Sequence, residues 1–365
     1  MSSGSSTSPQ SNRPWVDIDL SAMRANYNLV RGLAKNSEVA AVVKCDGYGL
    51  GMIEIACLLA KQENCRTFFV AYQKEGAALR QSLHDIAPNA KIYVFSGPID
   101  YDLGKYAQYN LTPVINSAEQ AAKWASHAPD KPAALHLDLG INRLGAPLSE
   151  LPAIREIGAF NVDVIMGHLS SSSRPDSDEN AKQLALFEKF ASEFSGAKKS
   201  LAASGGALIG PAYHFDLIRM GVALYGASPF DHIDERVKPV ASLRAPVIQV
   251  RDIAAGESVG YSGTYIVDRP SRIATVALGY GDGFPRAGSS RAEAVIHGER
   301  AKIAGIISMD LITLDVTDCK IPIKTGDTAT FFGEGLPIEE TAERCNTIAY
   351  ELLTGLGGRV DRRYV

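Results

Sequence analysis

Lys44 closes a five-residue apolar run, VAAVV, and is followed at once by CDGYGLG. A lysine at the end of an apolar strand loses solvation, which disfavours the charged form and lowers its pKa. The neutral amine is then a nucleophile suited to forming a Schiff base with a carbonyl. Gly47, Gly49 and Gly51 let the backbone turn sharply afterwards, and Tyr48 among them sets a hydroxyl near whatever Lys44 holds. The plainer alternative is a lysine that merely flanks a strand. The G-x-G-x-G spacing is a weak cue for nucleotide binding, and it lacks the downstream acid of a dinucleotide site.

Such a lysine needs a scaffold. From about residue 37 to 226, short apolar runs alternate with amphipathic segments. The runs are 38–44, 67–73, 91–97, 111–117, 133–139, 162–169, 198–204 and 220–226. Helical spacing falls near 51–62, 74–83, 118–127, 148–157 and 178–194. Continuous apolar strands separated by helices indicate a parallel sheet buried on both faces. Eight such units in about 190 residues fit a closed (β/α)8 barrel better than an open sheet. Lys44 then sits at the C-terminal mouth of the first strand, where barrel enzymes place their chemistry. After about residue 236 the texture changes to β-rich segments broken by Gly, Asp and Pro, with one helix expected over 340–356. The expected class is α/β: a disordered tail over 1–13, an N-terminal (β/α)8 barrel over 14–235, and a mostly antiparallel β domain over 236–365. The alternating opening segment 14–20 is a candidate to join the second sheet.

Composition narrows the function classes. The 365 residues carry 37 Lys and Arg against 41 Asp and Glu, a net charge of −4. That balance argues against a bulk electrostatic grip on nucleic acid. No uncharged apolar stretch approaches the roughly 18 residues of a membrane helix. The five cysteines are irregularly spaced and form no C-x-x-C, which argues against a disulfide framework or a metal site. The first dozen residues hold six serines and no apolar core, so no signal peptide is expected and the protein reads as cytoplasmic.

The segment AAVVKCDGYGLG resembles the pyridoxal-phosphate lysine segment of bacterial alanine racemases. Eight further blocks resemble that family in order: LHLDLGINRLG, GHLSSSSRPD, ASGGALIG, FDLIRMGVALYGASP, SVGYSGTY, LGYGDGFPR, ISMDLITLDV and YELLTGLGGRVDRRYV. The resemblance runs from about residue 14 to the C-terminus and implies a fold-type III enzyme that racemises L- and D-alanine, supplying D-alanine for peptidoglycan. It implies pyridoxal 5'-phosphate bound to Lys44, an amino-acid substrate, and a head-to-tail homodimer in which each β domain completes the partner's site. Lys44 and Tyr265 from the partner would be the two opposed proton-transfer bases. A tyrosine is protonated near neutral pH, so it needs a positive or hydrogen-bonding neighbour to act as a base. His168 matches the assisting histidine of the family. On spacing alone, His168 reads as a core histidine and Tyr265 as a strand aromatic.

Arg219 matches the arginine facing the pyridine nitrogen. Arginine does not readily give up a proton, so the nitrogen would stay unprotonated and the coenzyme would be a weaker electron sink. Arg219 lies in an apolar run, where a charge needs a partner. Ser204, Gly205, Gly206, Gly221 and Val222 match the phosphate cradle, with Tyr48 adding a hydroxyl. Barrels often bind phosphate after strands seven and eight, which are 198–204 and 220–226 by the strand count. Arg143 matches the arginine that steers the substrate carboxylate, and Met309 the partner residue whose backbone meets it. Tyr280 and Asp310 fall in entrance-lining blocks.

Four positions depart from the family pattern. His136 stands where many members have a carbamylated lysine, so Arg143 must be held another way, with Asn142 or a bound anion as candidates. Gly358 replaces a phosphate-binding tyrosine, Gly281 a common alanine, and Leu139 a common threonine. Rival readings are a racemase of broader or serine specificity, a fold-type III decarboxylase, a non-catalytic coenzyme carrier and a Schiff-base aldolase. Cys319 and Cys345 lie in no motif that would make a decarboxylase cysteine.

Overall fold

The computed structural model describes residues 12–99, 103–129, 131–158 and 161–365. The expected tail over 1–13 lies outside these, apart from its last two residues. The chain divides into two compact units: Met23–Lys238, and the described residues up to Ala22 together with Pro239–Val365.

The first strand, β1 (Trp15–Ile18), belongs to the second unit. The eight strands that follow build the first: β2 (Glu38–Val42), β3 (Thr67–Val70), β4 (Lys91–Val94), β5 (Thr112–Ile115), β6 (Pro132–His136), β7 (Asn161–Met166), β8 (Lys198–Ser200) and β9 (Leu217–Met220). All pairings are parallel, in the order β8-β7-β6-β5-β4-β3-β2-β9. The remaining gap, between β8 and β9, is bridged where Arg219 N donates to Ala202 O at 3.0 Å and Ala203 pairs with Arg219. This is the barrel the alternating pattern predicts: β3, β5 and β9 are buried at every residue, because helices cover the outside and side chains fill the inside. The predicted helices appear at Met52–Gln62, Gln73–Ser82, Ala118–His127 and Asp178–Ala191.

One expectation needs correction in this unit. The predicted eighth strand, 220–226, is misplaced: β9 ends at Met220, and Val222–Tyr225 forms a tight 3-10 turn. Gly221 (φ −118°, ψ −110°) ends the extended backbone and Gly226 (φ +83°) ends the turn. An apolar run shows burial and not conformation, so the turn resembles a strand in sequence. The helix expected near 148–157 forms over those bounds, its first turn, Leu148–Glu150, as 3-10 and the rest, Leu151–Ile157, as α-helix.

The second unit holds β10 (Ala241–Ile253), β11 (Ser258–Val259), β12 (Tyr265–Ile266), β13 (Ser271–Val276), β14 (Glu293–Ile296), β15 (Glu299–Ile303), β16 (Ile312–Asp315), β17 (Thr328–Phe332) and β18 (Asp361–Tyr364). Its large sheet runs β13-β16-β15-β14-β17-β10-β1-β18. The long β10 bends at a register shift near Val247, pairing β17 before it and β13 after it, so the sheet curls back on itself. Every pairing is antiparallel except β1 with β18. The single helix expected over 340–356 is two short ones, Ile338–Arg344 and Ala349–Thr354. Asn346 between them takes a left-handed φ of +55°, a conformation that asparagine tolerates and that stops a helix. Among the described residues no helix is long and apolar enough to cross a membrane.

Candidate active site

Because all eight barrel strands are parallel, the residues just past their C-terminal ends share one rim. Lys44 follows β2, Phe95 follows β4, Asn116 follows β5, His168 follows β7, Ser204 follows β8 and Gly221 follows β9. Lys44 Nζ lies 5.7 Å from the centroid of Phe95, whose ring stacks on Phe69. It has no ion-pair partner among the described residues. Burial, and secondarily the Arg143 charge, hold the amine below its ordinary pKa.

The chain leaves Lys44 in an unusual way. Cys45, Asp46, Gly47 and Tyr48 all take left-handed φ values between +51° and +60°. Each non-glycine residue held there costs about 1–2 kcal/mol, so the turn must be braced. Cys45 N donates to Glu75 Oε1 at 2.7 Å, and Met52 N donates to Asp46 Oδ1 at 2.9 Å. The other Glu75 oxygen accepts from Ala71 N (2.8 Å) and Tyr72 N (3.1 Å). One carboxylate thereby ties the loop after β2 to the loop after β3. Nothing in the sequence singles out Glu75 beyond an acid in the first turn of a helix that follows a strand.

Tyr48 is buried and stacks on Tyr225 with centroids 4.4 Å apart. A Cβ on Gly221 would fall 2.7 Å from Tyr48 Oη, and one on Gly205 would fall 2.6 Å from Ser172 Oγ. A side chain at either glycine would have to displace Tyr48 or Ser172. Gly221 N and Ala223 N donate to Ser204 Oγ, at 3.0 and 3.2 Å. The Gly221 amide is thus used internally, while the N–H groups of Gly205 and Val222 find no protein acceptor among the described residues. Ser204 Oγ accepts twice and keeps its own O–H to donate. The cradle offers hydrogen-bond donors without a lysine or arginine of its own.

Arg219, in β9, is only 2% exposed. Nη1 donates to Ser200 O (2.8 Å) and Ser200 Oγ (2.6 Å), and Nη2 to Gly167 O (2.5 Å) and Leu201 O (3.3 Å). Every acceptor is neutral, and no carboxylate lies within ion-pair distance among the described residues. The partner an apolar run demands is thus a ring of carbonyls, which leaves a net buried positive charge near the rim. That charge, after burial itself, depresses His168 to about 3, so its imidazole is neutral at physiological pH.

His136 is buried, and burial and Arg219 lower it likewise to about 3. Asn116 Nδ2 donates to Phe95 O (3.0 Å) and Val114 O (2.9 Å), which fixes Asn116 Oδ1 as an acceptor. His136 Nδ1, 3.1 Å from that oxygen, must then carry the proton. His136 therefore brings no negative charge to replace a carbamylated lysine. Asn142 does not hold Arg143 either: its Nδ2 donates to Gly140 O at 3.4 Å, and Arg143 is exposed without an ion-pair partner among the described residues.

In the second unit, Tyr265 opens β12 and donates its Oη proton to Asp315 Oδ2 at 3.0 Å. Burial first, and then Asp315, push the phenol up to about 12. The group that meets the phenol is a negatively charged acceptor, which raises its pKa, the opposite of what the expected positive neighbour would do. Met309 is 54% exposed. Its carbonyl accepts from Gly281 N at 2.8 Å, and its own N–H has no acceptor among the described residues. Arg359 ties this loop in place, pairing with Asp282 through Nε (2.9 Å) and with Asp310 through Nη1 (2.8 Å). A Cβ on Gly281 would fall 2.7 Å from Arg359 Nη2, so the alanine-to-glycine departure makes room for this guanidinium. At Gly358 a Cβ would meet nothing within 4 Å. Tyr280 is 43% exposed, and its N–H donates to Ser308 O at 3.1 Å.

Comparison with known proteins covers both units. The family model for the alanine racemase N-terminal domain matches residues 18–229, and that for the C-terminal domain matches residues 240–364. An alanine racemase of Methylobacterium nodulans is 39% identical across 98% of this chain and 98% of its own length. A biosynthetic alanine racemase of Agrobacterium fabrum is 36% identical across 96% of this chain and 93% of its own. The crystal structure of alanine racemase from Bartonella henselae with covalently bound pyridoxal phosphate matches with a TM-score of 0.90 at 34% identity, covering 97% of this chain and 99% of that one. With both of its halves matched, the chain belongs to the alanine racemase family.

Proposed function

We propose that this protein interconverts L- and D-alanine with pyridoxal 5'-phosphate held covalently by Lys44. The observation that carries the reading is the Lys44 amine at the barrel rim, 5.7 Å from the Phe95 ring, held below its ordinary pKa by burial and in no ion pair among the described residues. The residues present fit the coenzyme. Gly205 and Gly221 leave space that a Cβ would fill, beside free N–H groups, a Ser204 hydroxyl and the Tyr48 phenol. Arg219 supplies an uncompensated buried cation opposite an anionic ligand. When bound, the coenzyme withdraws electrons from the substrate α-carbon and so makes its proton removable.

The chain's own residues do the rest. Lys44 Nζ takes or returns the α-proton on one face. Tyr265 of a second protomer does so on the other, since inversion requires departure and return on opposite sides. Arg219 would meet the ring nitrogen and give it no proton. Neutral His168 would accept or donate a hydrogen bond at the rim without adding charge. Arg143, with the Met309 N–H of the second protomer, would take the substrate carboxylate. Exposed Tyr261, Ile266, Tyr280, Met309 and Leu311 on the β unit support burial against another copy in a head-to-tail homodimer. The name of the Agrobacterium fabrum relative supports a biosynthetic role; we take its setting to be the cytoplasm and its product D-alanine to serve peptidoglycan.

Loss of optical purity across a panel of L- and D-amino acids tests the reaction. Alanine should racemise fastest; serine exceeding alanine would replace the substrate assignment, and no racemisation would refute the function. Site sharing has its own test. Mixed Lys44→Ala and Tyr265→Phe chains should recover about a quarter of full activity, because half the dimers are mixed and each holds one intact site. No recovery despite confirmed subunit exchange contradicts sharing. Gly221→Ala should drive Tyr48 from the cradle and weaken coenzyme binding by about tenfold or more, read by titration of the coenzyme-free protein. Unchanged affinity would remove Gly221 from the cradle.

A further inference from the structure

We propose that Asp315 is a positioning residue and proton relay for Tyr265, an inference that rests on the reading of Tyr265 as an acid–base group. Asp315 ends β16 and Tyr265 opens the short β12, 50 residues apart in sequence. Neither is placed by chance. β16 sits inside the curled sheet between β13 and β15, pairing Asp315 with Ile273 and with Lys302. The carboxylate is clamped on one side: Asp315 Oδ1 accepts from Thr317 N (3.0 Å) and Thr317 Oγ1 (2.5 Å), and Thr317 Oγ1 accepts in turn from Arg272 N at 2.9 Å. That leaves Oδ2 to receive the phenol.

The surrounding charges make Asp315 the group that matters. A cavity of about 740 Å³ beside Tyr265 is lined by Asp268, Glu299, Asp315 and Asp318 and by Arg269, Arg300 and Lys302. Arg269 is committed to Asp318 at 2.6 Å, and Arg300 to Glu340 and Glu293. Glu299 accepts the backbone N–H groups of Lys320 and Ile321. Asp315 has no ion pair among the described residues, and the Arg269 charge offsets it only in part at the phenol, which stays raised. The Tyr265 proton is therefore held toward Asp315, and a lone pair of Oη is left for another proton.

When Oη takes the α-proton, the electron pair of the C–H bond stays on carbon and a new O–H bond forms on Tyr265. The original O–H bond breaks, and its proton passes to Asp315 Oδ2, forming a carboxylic acid. The reverse passage returns it. Tyr265 thus serves as a base without ionising to phenolate, which its raised pKa makes scarce at neutral pH.

The test uses the coenzyme-loaded full chain. In Asp315→Asn, kcat should fall by about tenfold or more while KM for alanine stays within about twofold. Tyr265 ionisation, read as the near-ultraviolet difference between each protein and its Tyr265→Phe counterpart, should drop by about one pH unit or more from about 12. Asp315→Glu, which keeps a carboxylate, should recover part of kcat. A kcat loss without the titration shift marks Asp315 as merely structural, and a shift without kcat loss removes the relay; either overturns the proposal. If Asp315→Asn does not fold, Thr317→Val loosens the clamp and should move both readouts the same way by a smaller amount, with no movement in either contradicting the proposal. A parent chain inactive on alanine would refute the proposed function instead, and the titration would still report on the Asp315 contact.

Discussion

Lys44→Ala loses at least about ten-thousand-fold in racemisation rate, because it removes a proton-transfer base and the covalent anchor of the coenzyme together. The amine is placed by three features that the substitution leaves intact. β2 ends at Val42, the left-handed turn begins at Cys45, and Glu75 pins that turn through Cys45 N at 2.7 Å. The variant should therefore fold, keep its circular dichroism and melt within a few degrees of the parent, while spectroscopy finds no covalently attached coenzyme. Soluble amine added at high concentration should restore a small part of the rate. A Lys44→Ala protein that racemises alanine within about tenfold of the parent contradicts the assignment.

Arg219→Ala has the largest expected effect on stability, about 3–5 kcal/mol. The side chain is 2% exposed and makes four hydrogen bonds. Ser200 O still accepts from Gly167 N, but the Gly167 and Leu201 carbonyls lose their donor. Each orphaned carbonyl costs about 1–3 kcal/mol, and the vacated volume adds to this. Against a total stability of about 5–15 kcal/mol, that is a large share. The same contacts bridge the rim where β7, β8 and β9 meet, so coenzyme affinity should fall as well. Urea unfolding of the coenzyme-free chain separates the two effects. A loss below about 1 kcal/mol would mean that water or relaxation satisfies those carbonyls.

What was legible in the sequence was whatever depends on local pattern. Strand-end Lys44 with glycines after it, the alternation that counts eight units, and the change of texture near residue 236 are each carried by neighbours in the chain. What was not legible depends on which segments fold side by side. The Glu75 carboxylate reaches back to Cys45 because β2 and β3 are adjacent in the barrel. Asp315 meets Tyr265 because the second sheet curls, and nothing in LITLD marks that acid apart from any strand-end aspartate. The eighth strand was displaced because VALY is as apolar as a strand, while the true strand was disguised by the arginine at its centre. The helix over 340–356 kept its amphipathic spacing through Asn346, so periodicity concealed the break. His136 illustrates a third limit. Its position relative to Arg143 was readable, but its neutral Nδ1–H form follows from Asn116, which only the adjacency of β5 and β6 supplies.

The most direct measurement is reduction of the yellow, coenzyme-loaded protein with borohydride, followed by proteolysis and mass spectrometry of the peptides. One pyridoxyl adduct per chain is expected, on Lys44, absent when the coenzyme is first removed. An adduct on any other lysine, or none in a protein that racemises alanine, would contradict the assignment of Lys44.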